Sequence, residues 1–456
     1  MVRRLVAGAA LLALLFGTAC TATTEDDESS GSDGGGSSSD DSTPAGEGGE
    51  SSFDYSGVAT QGVTDDSITL GVANIDPSAL AELGVEGVEL APTEALYQAW
   101  IDDLNASGGI NGREVQLAFR PFVPYVDAEA EAACTELVED EQVFLAIGIF
   151  LDDGPLCFTE THEVPYLGLF SLSPEREERS VAPFFAVEMS DDRQKLGGVQ
   201  QLAEAGTFDD QAVALVWDTG DTPVVEDVIQ PYLEEQDVDV VVEATREIVS
   251  GTDQAASDQE LDVMVERISA ADPDLILNVS DFGALPVALQ RNGYLPEGGI
   301  FSTSAQGLSQ DVVSNLALDD ETLEAITISS IATTASEGDE AVRSDEGIQA
   351  CLDTYDASDP AEPVDVAQAP IEVLSSVAQS CAAFQIFVEA ASAAGEDLTP
   401  ATWAAGAEGL GDLDLPGLPY ASLTPTQHSA GDAIATYSWD ADEGRYVIDG
   451  EPVDVG

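Results

Sequence analysis

Lysine is almost missing from this chain: Lys195 is the only one, and lysine and arginine together number 13 against 88 aspartates and glutamates. The resulting formal net charge of -75 excludes nucleic acid as a partner, because a phosphate backbone is held by clustered cations. Histidine is nearly as scarce. With only His162 and His428 there is no His-rich metal cluster, and no metal or cofactor is expected. The phosphate-cradling run G-x-x-x-x-G-K, the zinc helix H-E-x-x-H and the nucleophile turn G-x-S-x-G are absent too, so nothing in the chain demands catalysis. The acid excess is read as a solvated face that favours solubility; adaptation to a salty or acidic exterior is the other reading.

The N-terminus carries Arg3 and Arg4, an apolar run from Leu5 to Phe16, and small residues leading to Cys20. That order is a bacterial export signal. The run falls short of the roughly 20 residues a membrane-spanning helix needs, so residues 1–19 read as a removable signal peptide. Gly17, Thr18, Ala19 and Cys20 resemble a lipobox, with Gly17 where leucine is usual, and predict a lipidated Cys20 as the mature N-terminus. Two or more acyl chains would hold the protein durably on the outer face of the cell membrane. From Thr21 to about Gly62 the chain is Ser, Gly, Asp and Glu with almost nothing apolar, a composition that buries no core and predicts a flexible tether.

Apart from Cys20 there are four cysteines, an even number in an exported chain, which suggests two disulfides. Pairing within single α/β segments gives Cys134 with Cys157 and Cys351 with Cys381. The remaining chain is longer than one hydrophobic core usually spans, so two lobes are expected.

Short apolar strands alternate with helices. Ser67 to Ala73 reads as a buried strand, Pro92 to about Ala106 as a helix stopped by Gly108 and Gly109, and Glu114 to Phe119 as the next strand. A helix at Ala128 to Glu139 and strands at Val143 to Phe150 and Tyr166 to Phe170 follow. The pattern restarts after Pro183 to Val187, with strands at Ala212 to Trp217, Val238 to Ala244, Asp274 to Val279 and Gly299 to Thr303 separated by helices. Ala325 to Ser330, a helical tract at Val373 to Ala394, and strands at Ala433 to Trp439 and Arg445 to Ile448 close the chain. This alternation predicts an α/β protein with parallel sheets covered on both faces.

The run N-A-S-G-G-I-N-G-R-E-V at Asn105 to Val115 resembles the signature segment of the type I periplasmic-binding family, in its leucine/isoleucine/valine-binding branch. The order of I-T-L-G-V, the Cys-containing helix, V-P-Y-L-G, S-P-E and the closing Y-S-W-D-A-D-E-G-R-Y extends the likeness over residues 65 to 456. The resemblance implies two doubly wound parallel-sheet lobes joined by a three-crossover hinge. On that reading residues 63–187 plus about 331–424 form the first lobe, and 188–330 plus about 425–456 the second.

Ligand is expected beyond the carboxyl ends of the strands, at loops Ile149 to Gly154, Ser171 to Glu175, Asp218 to Thr222 and Ser280 to Gly283. By order along the chain, the resemblance places Ser171 and Ser173 near the hydroxyls that hold a ligand carboxylate, and Asp281 near the acid that holds its ammonium. Where relatives have a serine cluster this chain has Leu151, Asp152 and Asp153, and those two acids are candidates for a cationic ligand group. Each candidate has a plainer role open to it: helix capping or solvation for the aspartates, turn formation before Pro174 for the serines. His162 reads as a surface residue, and His428, in T-P-T-Q-H-S-A-G, as structural. The resemblance implies an importer-linked solute-binding lipoprotein, not an enzyme, that captures an amino acid or related small polar molecule in an interlobe cleft and delivers it to the importer. Its partners would be that ligand, the permease of an ABC importer and, through the anchor, the membrane, with the protein itself a monomer. A ligand-sensing lipoprotein without transport and an extracellular hydrolase built on clustered acids are the alternatives.

Overall fold

The computed structural model describes residues 53–82, 90–124, 126–170, 172–246, 254–280 and 282–456. Cys20, Ser171 and Asp281 lie outside the described residues, as do the export signal and most of the expected tether. The final part of that tether, from Phe53 to Gly62, packs on the body. Tyr55 is 6% exposed within the main core, and the Gln61 side-chain amide donates to the carbonyls of Val138 and Val143. Two aromatic rings in an otherwise polar stretch are enough to dock it.

Two sheets organise the chain. In the first, β1 (Ser67–Ile75), β2 (Glu114–Phe122), β3 (Leu145–Gly148), β4 (Tyr166–Gly168) and β5 (Phe184–Ala186) lie in the order β2-β1-β3-β4-β5, every pairing parallel. β1 shows why: apart from its ends and Thr69 it is buried throughout, as a strand covered on both faces must be. One apolar cluster joins this sheet to the helices Thr93–Ala106, Glu346–Ala357, Ile371–Ala393 and Pro400–Glu408, and a second fills its other face around Phe150, Phe158 and Tyr166. The helix Ile371–Ala393 is long and apolar enough to cross a membrane, yet Leu374, Val377, Ala382, Ile386 and Phe387 are all buried in the first cluster, so it is a core helix.

The second sheet has a parallel body with an antiparallel edge. β6 (Ala212–Asp218), β7 (Asp239–Arg246), β8 (Leu275–Asn278), β9 (Ile300–Ser302) and β10 (Ile326–Ile331) are parallel in the order β7-β6-β8-β9-β10. After the small ribbon of β11 (Gly411–Asp412) and β12 (Ser422–Leu423), β13 (Ala433–Asp440) runs antiparallel to β10 and carries β14 (Arg445–Ile448) and β15 (Val453–Asp454), both antiparallel. A parallel neighbour needs a covering crossover of a dozen or more residues. Only a turn joins β13 to β14, so that pair closes as a hairpin.

The signature segment acts as a clasp. Gly109 (φ +67) ends the helix Thr93–Ala106, and a Cβ there would stand 1.9 Å from the Arg113 carbonyl oxygen. Asn111 donates from its amide to the carbonyls of Ala391, Ser392 and Gly395, capping the far end of Ile371–Ala393, while Arg113 donates to the carbonyls of Thr64 and Glu396. Both disulfides form in the expected pairing, Cys134 with Cys157 and Cys351 with Cys381.

The lobes meet at crossovers that pair with each other. The backbone N–H groups of Ala186 and Gly431 donate to the carbonyls of His428 and Val187, and that of Ala332 donates to the Ala433 carbonyl. Arg193 pins the junction: its guanidinium donates to the carbonyls of Ser429 and Gly431 and ion-pairs with the buried Asp432.

Candidate ligand-binding site

In open α/β sheets solutes bind beyond the carboxyl ends of the strands. After β3 the chain buries Phe150 against Phe122 and Phe158, then turns through Asp152, whose φ of +48 suits a loop aspartate. Asp152 is exposed; burial of its surroundings raises its carboxyl above the usual range, against the pull of Arg176. Asp153 is held by Arg179 at 2.9 Å and Arg176 at 3.4 Å. Burial opposes its ionisation, but the two guanidiniums prevail and its carboxyl stays below the ordinary value. After β4, Ser173 accepts a hydrogen bond from the Arg176 backbone N–H at 3.4 Å and so caps the helix Pro174–Arg179. The structure thus draws Asp153 and Ser173 together, through Arg176, on the lip of the first lobe.

The carboxyl ends of the second-lobe strands carry a lattice of charges. Asp218, the last residue of β6, receives Arg246, the last of β7, through two hydrogen bonds of 2.5 and 2.7 Å, both residues being buried. The Asp218 backbone N–H donates to Ser280 Oγ at 2.7 Å, and Ser280 donates in turn to Asp221. Asp221 and Asp191 both bind Lys195 at 2.5 Å. Burial pulls the Lys195 ammonium down, but the two aspartates more than reverse it, so it remains charged with a value above that of free lysine. Lys195 and Arg246 were not among the residues singled out from sequence. The signal available was the rarity of lysine itself, which makes one buried copy conspicuous.

Two further groups sit where the lobes join. Glu188, on the first crossover, is only half-buried, yet the protein around it pushes its carboxyl up to about 7, with a 2.7 Å hydrogen bond from Gln379 as the one opposing influence. His428 is 3% exposed, stacks on Phe185 with ring centroids 4.2 Å apart, and faces a carboxylate with each nitrogen: Glu177 at 2.7 Å and Glu408 at 3.1 Å. Burial disfavours its charge, and the two glutamates outweigh burial, raising its pKa. The Nε2–Glu408 contact is a hydrogen bond, and the Nδ1–Glu177 contact is an ion pair that exists only when the ring is protonated.

A pocket of about 1000 Å³ opens where β1 and β2 end, between Ile75 to Pro77, the start of the helix Thr93–Ala106 and the segment Glu362 to Val373. Sequence reasoning missed it, because its acids look like any others in so acidic a chain. Among the described residues the group of His, Cys and acids close enough to share a metal is Cys134, Cys157 and His162, and there both sulfurs are consumed in a disulfide.

A family model described as periplasmic binding protein matches residues 84–444, most of the chain. The chain belongs to the periplasmic binding protein family. No curated protein matches it in sequence. Among solved structures, an R. palustris ABC-transporter solute-binding protein in complex with 4-hydroxybenzoate is similar at a TM-score of 0.55 and 15% identity, covering 86% of this chain and 98% of its own. A Desulfitobacterium hafniense ABC-transporter substrate-binding protein in complex with Leu gives a TM-score of 0.52 at 17% identity, covering 84% and 100%. A fatty acid ABC transporter substrate-binding protein from Thermomonospora curvata gives 0.51 at 17%, covering 88% and 95%. At such identities these likenesses speak for the fold of this periplasmic binding protein. Their ligands differ widely while the architecture does not, so the ligand must be argued from the residues of the cleft.

Proposed function

We propose that this periplasmic binding protein is an extracytoplasmic lipoprotein, anchored through Cys20, that captures a small polar solute between its lobes and delivers it to an ABC importer. The solute class is an amino acid or a relative, and the protein acts as a monomer and not as an enzyme. The observation that carries the reading is the pairing of crossovers at Ala186, His428 and Gly431 between two α/β lobes in a chain of this family. Such a junction lets lobes move about a few residues while their strand-end loops face a common space. On this reading the lobes divide near residues 187, 331 and 424, Ser171, Ser173, Asp152 and Asp153 offer contacts from the first lobe, and Asp281 offers one from the second.

Two measurements test it. Mass spectrometry of the native N-terminus should find an acylated Cys20; an unmodified N-terminus with the protein wholly in the aqueous phase of a detergent partition removes the anchor. A thermal-shift screen of amino acids, small amides and polyamines against the mature chain should give one saturable rise in Tm without turnover, about 2.7 kcal/mol of added stability at a hundredfold excess over Kd. Chemical conversion of a bound solute defeats the binding-protein reading.

A further inference from the structure

The pocket where β1 and β2 end differs from the rest of the strand-end surface in what its charges are doing. Around Asp153, Asp218 and Asp221, each carboxylate is answered by an arginine or the lysine. The rim of the pocket bears Asp76, Glu94, Glu362 and Asp365, and no residue lining it is a lysine, arginine or histidine. Asp76 accepts from the backbone N–H and hydroxyl of Ser78, and Asp365 from the Ala367 N–H, which orients these groups without neutralising them. Arg343, on the helix Asp339–Ser344, is not part of the lining; it donates its guanidinium to the carbonyls of Val366 and Ala369 behind the segment. Inside the rim the walls are apolar, with Ile75, Ala91, Phe119, Val364 and Val373.

We infer that this pocket takes a small organic cation with a hydrocarbon body, of the polyamine or alkylammonium class, its charge on the carboxylate rim and its stem against the apolar wall. The inference goes beyond the solute-binding reading, because none of the residues named for the cleft lines this pocket, and it rests on that reading only for its purpose. Like-charge juxtaposition works against carboxylate ligands at such a rim, whereas four carboxylates on the rim of one pocket concentrate cations there. Phe119, half-buried in the wall, adds a surface suited to an ammonium or a methylene chain. The start of the helix Thr93–Ala106 would by itself favour an anion, but Glu94 already occupies its first turn. The volume of about 1000 Å³ is at the upper end of the range for small-molecule sites and holds a chain the length of spermidine.

Calorimetric titration of the mature chain with spermidine, leucine and 4-hydroxybenzoate at moderate salt tests this. Spermidine should bind at one saturable site. In a Glu94→Gln, Glu362→Gln, Asp365→Asn variant, all exposed positions, its Kd should rise at least tenfold. A control with Glu346→Gln, Asp353→Asn and Asp356→Asn, acids of the same lobe outside the pocket, should leave it unchanged. An equal loss in both variants would mean that spermidine is merely a counter-ion for an acidic surface, and the inference falls. Binding of leucine or 4-hydroxybenzoate without spermidine overturns the cation while keeping the solute-binding reading; no binding of any probe counts against both.

Discussion

The two lobes are built on the same sheet-and-helix plan but are held in different ways. All four paired cysteines lie in elements of the first lobe, which also has the uniformly parallel sheet. The second lobe has no disulfide among the described residues. It has a mixed sheet whose strand ends bury Asp218 with Arg246 and Lys195 with Asp191 and Asp221. A covalent link constrains mainly the unfolded chain, whereas a buried ion pair exists only in the folded one and bears a desolvation cost that its partners must offset. The first lobe is therefore secured against unfolding, and the second is secured in one arrangement.

The comparison is broken most forcefully by removing both bridges. Closing loops of 23 and 30 residues contributes about 3 to 4 kcal/mol each by the chain-entropy estimate. Replacing all four cysteines by alanine should therefore lower the first calorimetric transition sharply and leave a second-lobe transition in place; a common shift of both would show that the lobes unfold as one. The mirror experiment is Arg246→Met, which takes the guanidinium away from the buried Asp218 carboxylate and should cost about 3 to 5 kcal/mol in urea unfolding. Adding Asp218→Asn in the same chain should restore most of it, because the buried charge and not the lost contact carries the penalty. If the double variant is as unstable as the single one, packing rather than charge holds this lobe.

The smallest effect concerns the junction between them. His428 has a folded pKa above its ordinary 6.5, so its contribution is fully present below that value and fades as pH rises through the raised one. Against a His428→Gln variant, the wild type should be more stable by about 2 kcal/mol at pH 5 and lose that margin in alkaline buffer. A margin independent of pH would mean that the ring acts by stacking on Phe185 alone.

Local pattern carried most of the fold. The buried run of β1, the glycines after Ala106 and the even cysteines each act within a few residues of themselves, and all stand where the sequence placed them. What could not be read depends on distance. The direction of β13 depends on where the chain re-enters the second sheet after a long excursion from β10, not on its own alternation, and nothing in Phe53 announces that it docks beside His428. The site was less legible still. Ser173 and Asp153 occupy the loops expected of them, but their present partners, a helix N–H and two arginines, follow from a turn geometry that spacing does not reveal. The pairing of Lys195 with Asp221 and of Asp218 with Arg246 spans 26 and 28 residues; the first needs a helix to lie against the turn after β6, the second needs the sheet to bring β6 and β7 side by side.

The burial of Lys195 also governs how this protein meets chemistry and enzymes outside the cell. With the chain's one ε-amino group 7% exposed and clamped between two carboxylates, no lysine side chain is presented to amine-directed reagents or to proteases that cleave after lysine. Among the described arginines, Arg120, Arg176, Arg179, Arg193, Arg246, Arg291 and Arg445 are engaged with carboxylates, and the exposed Arg267 is held within the helix Gln254–Ala271. A trypsin-like enzyme would have to wait for local opening before finding its substrate, so digestion of the folded body should track unfolding rather than surface accessibility.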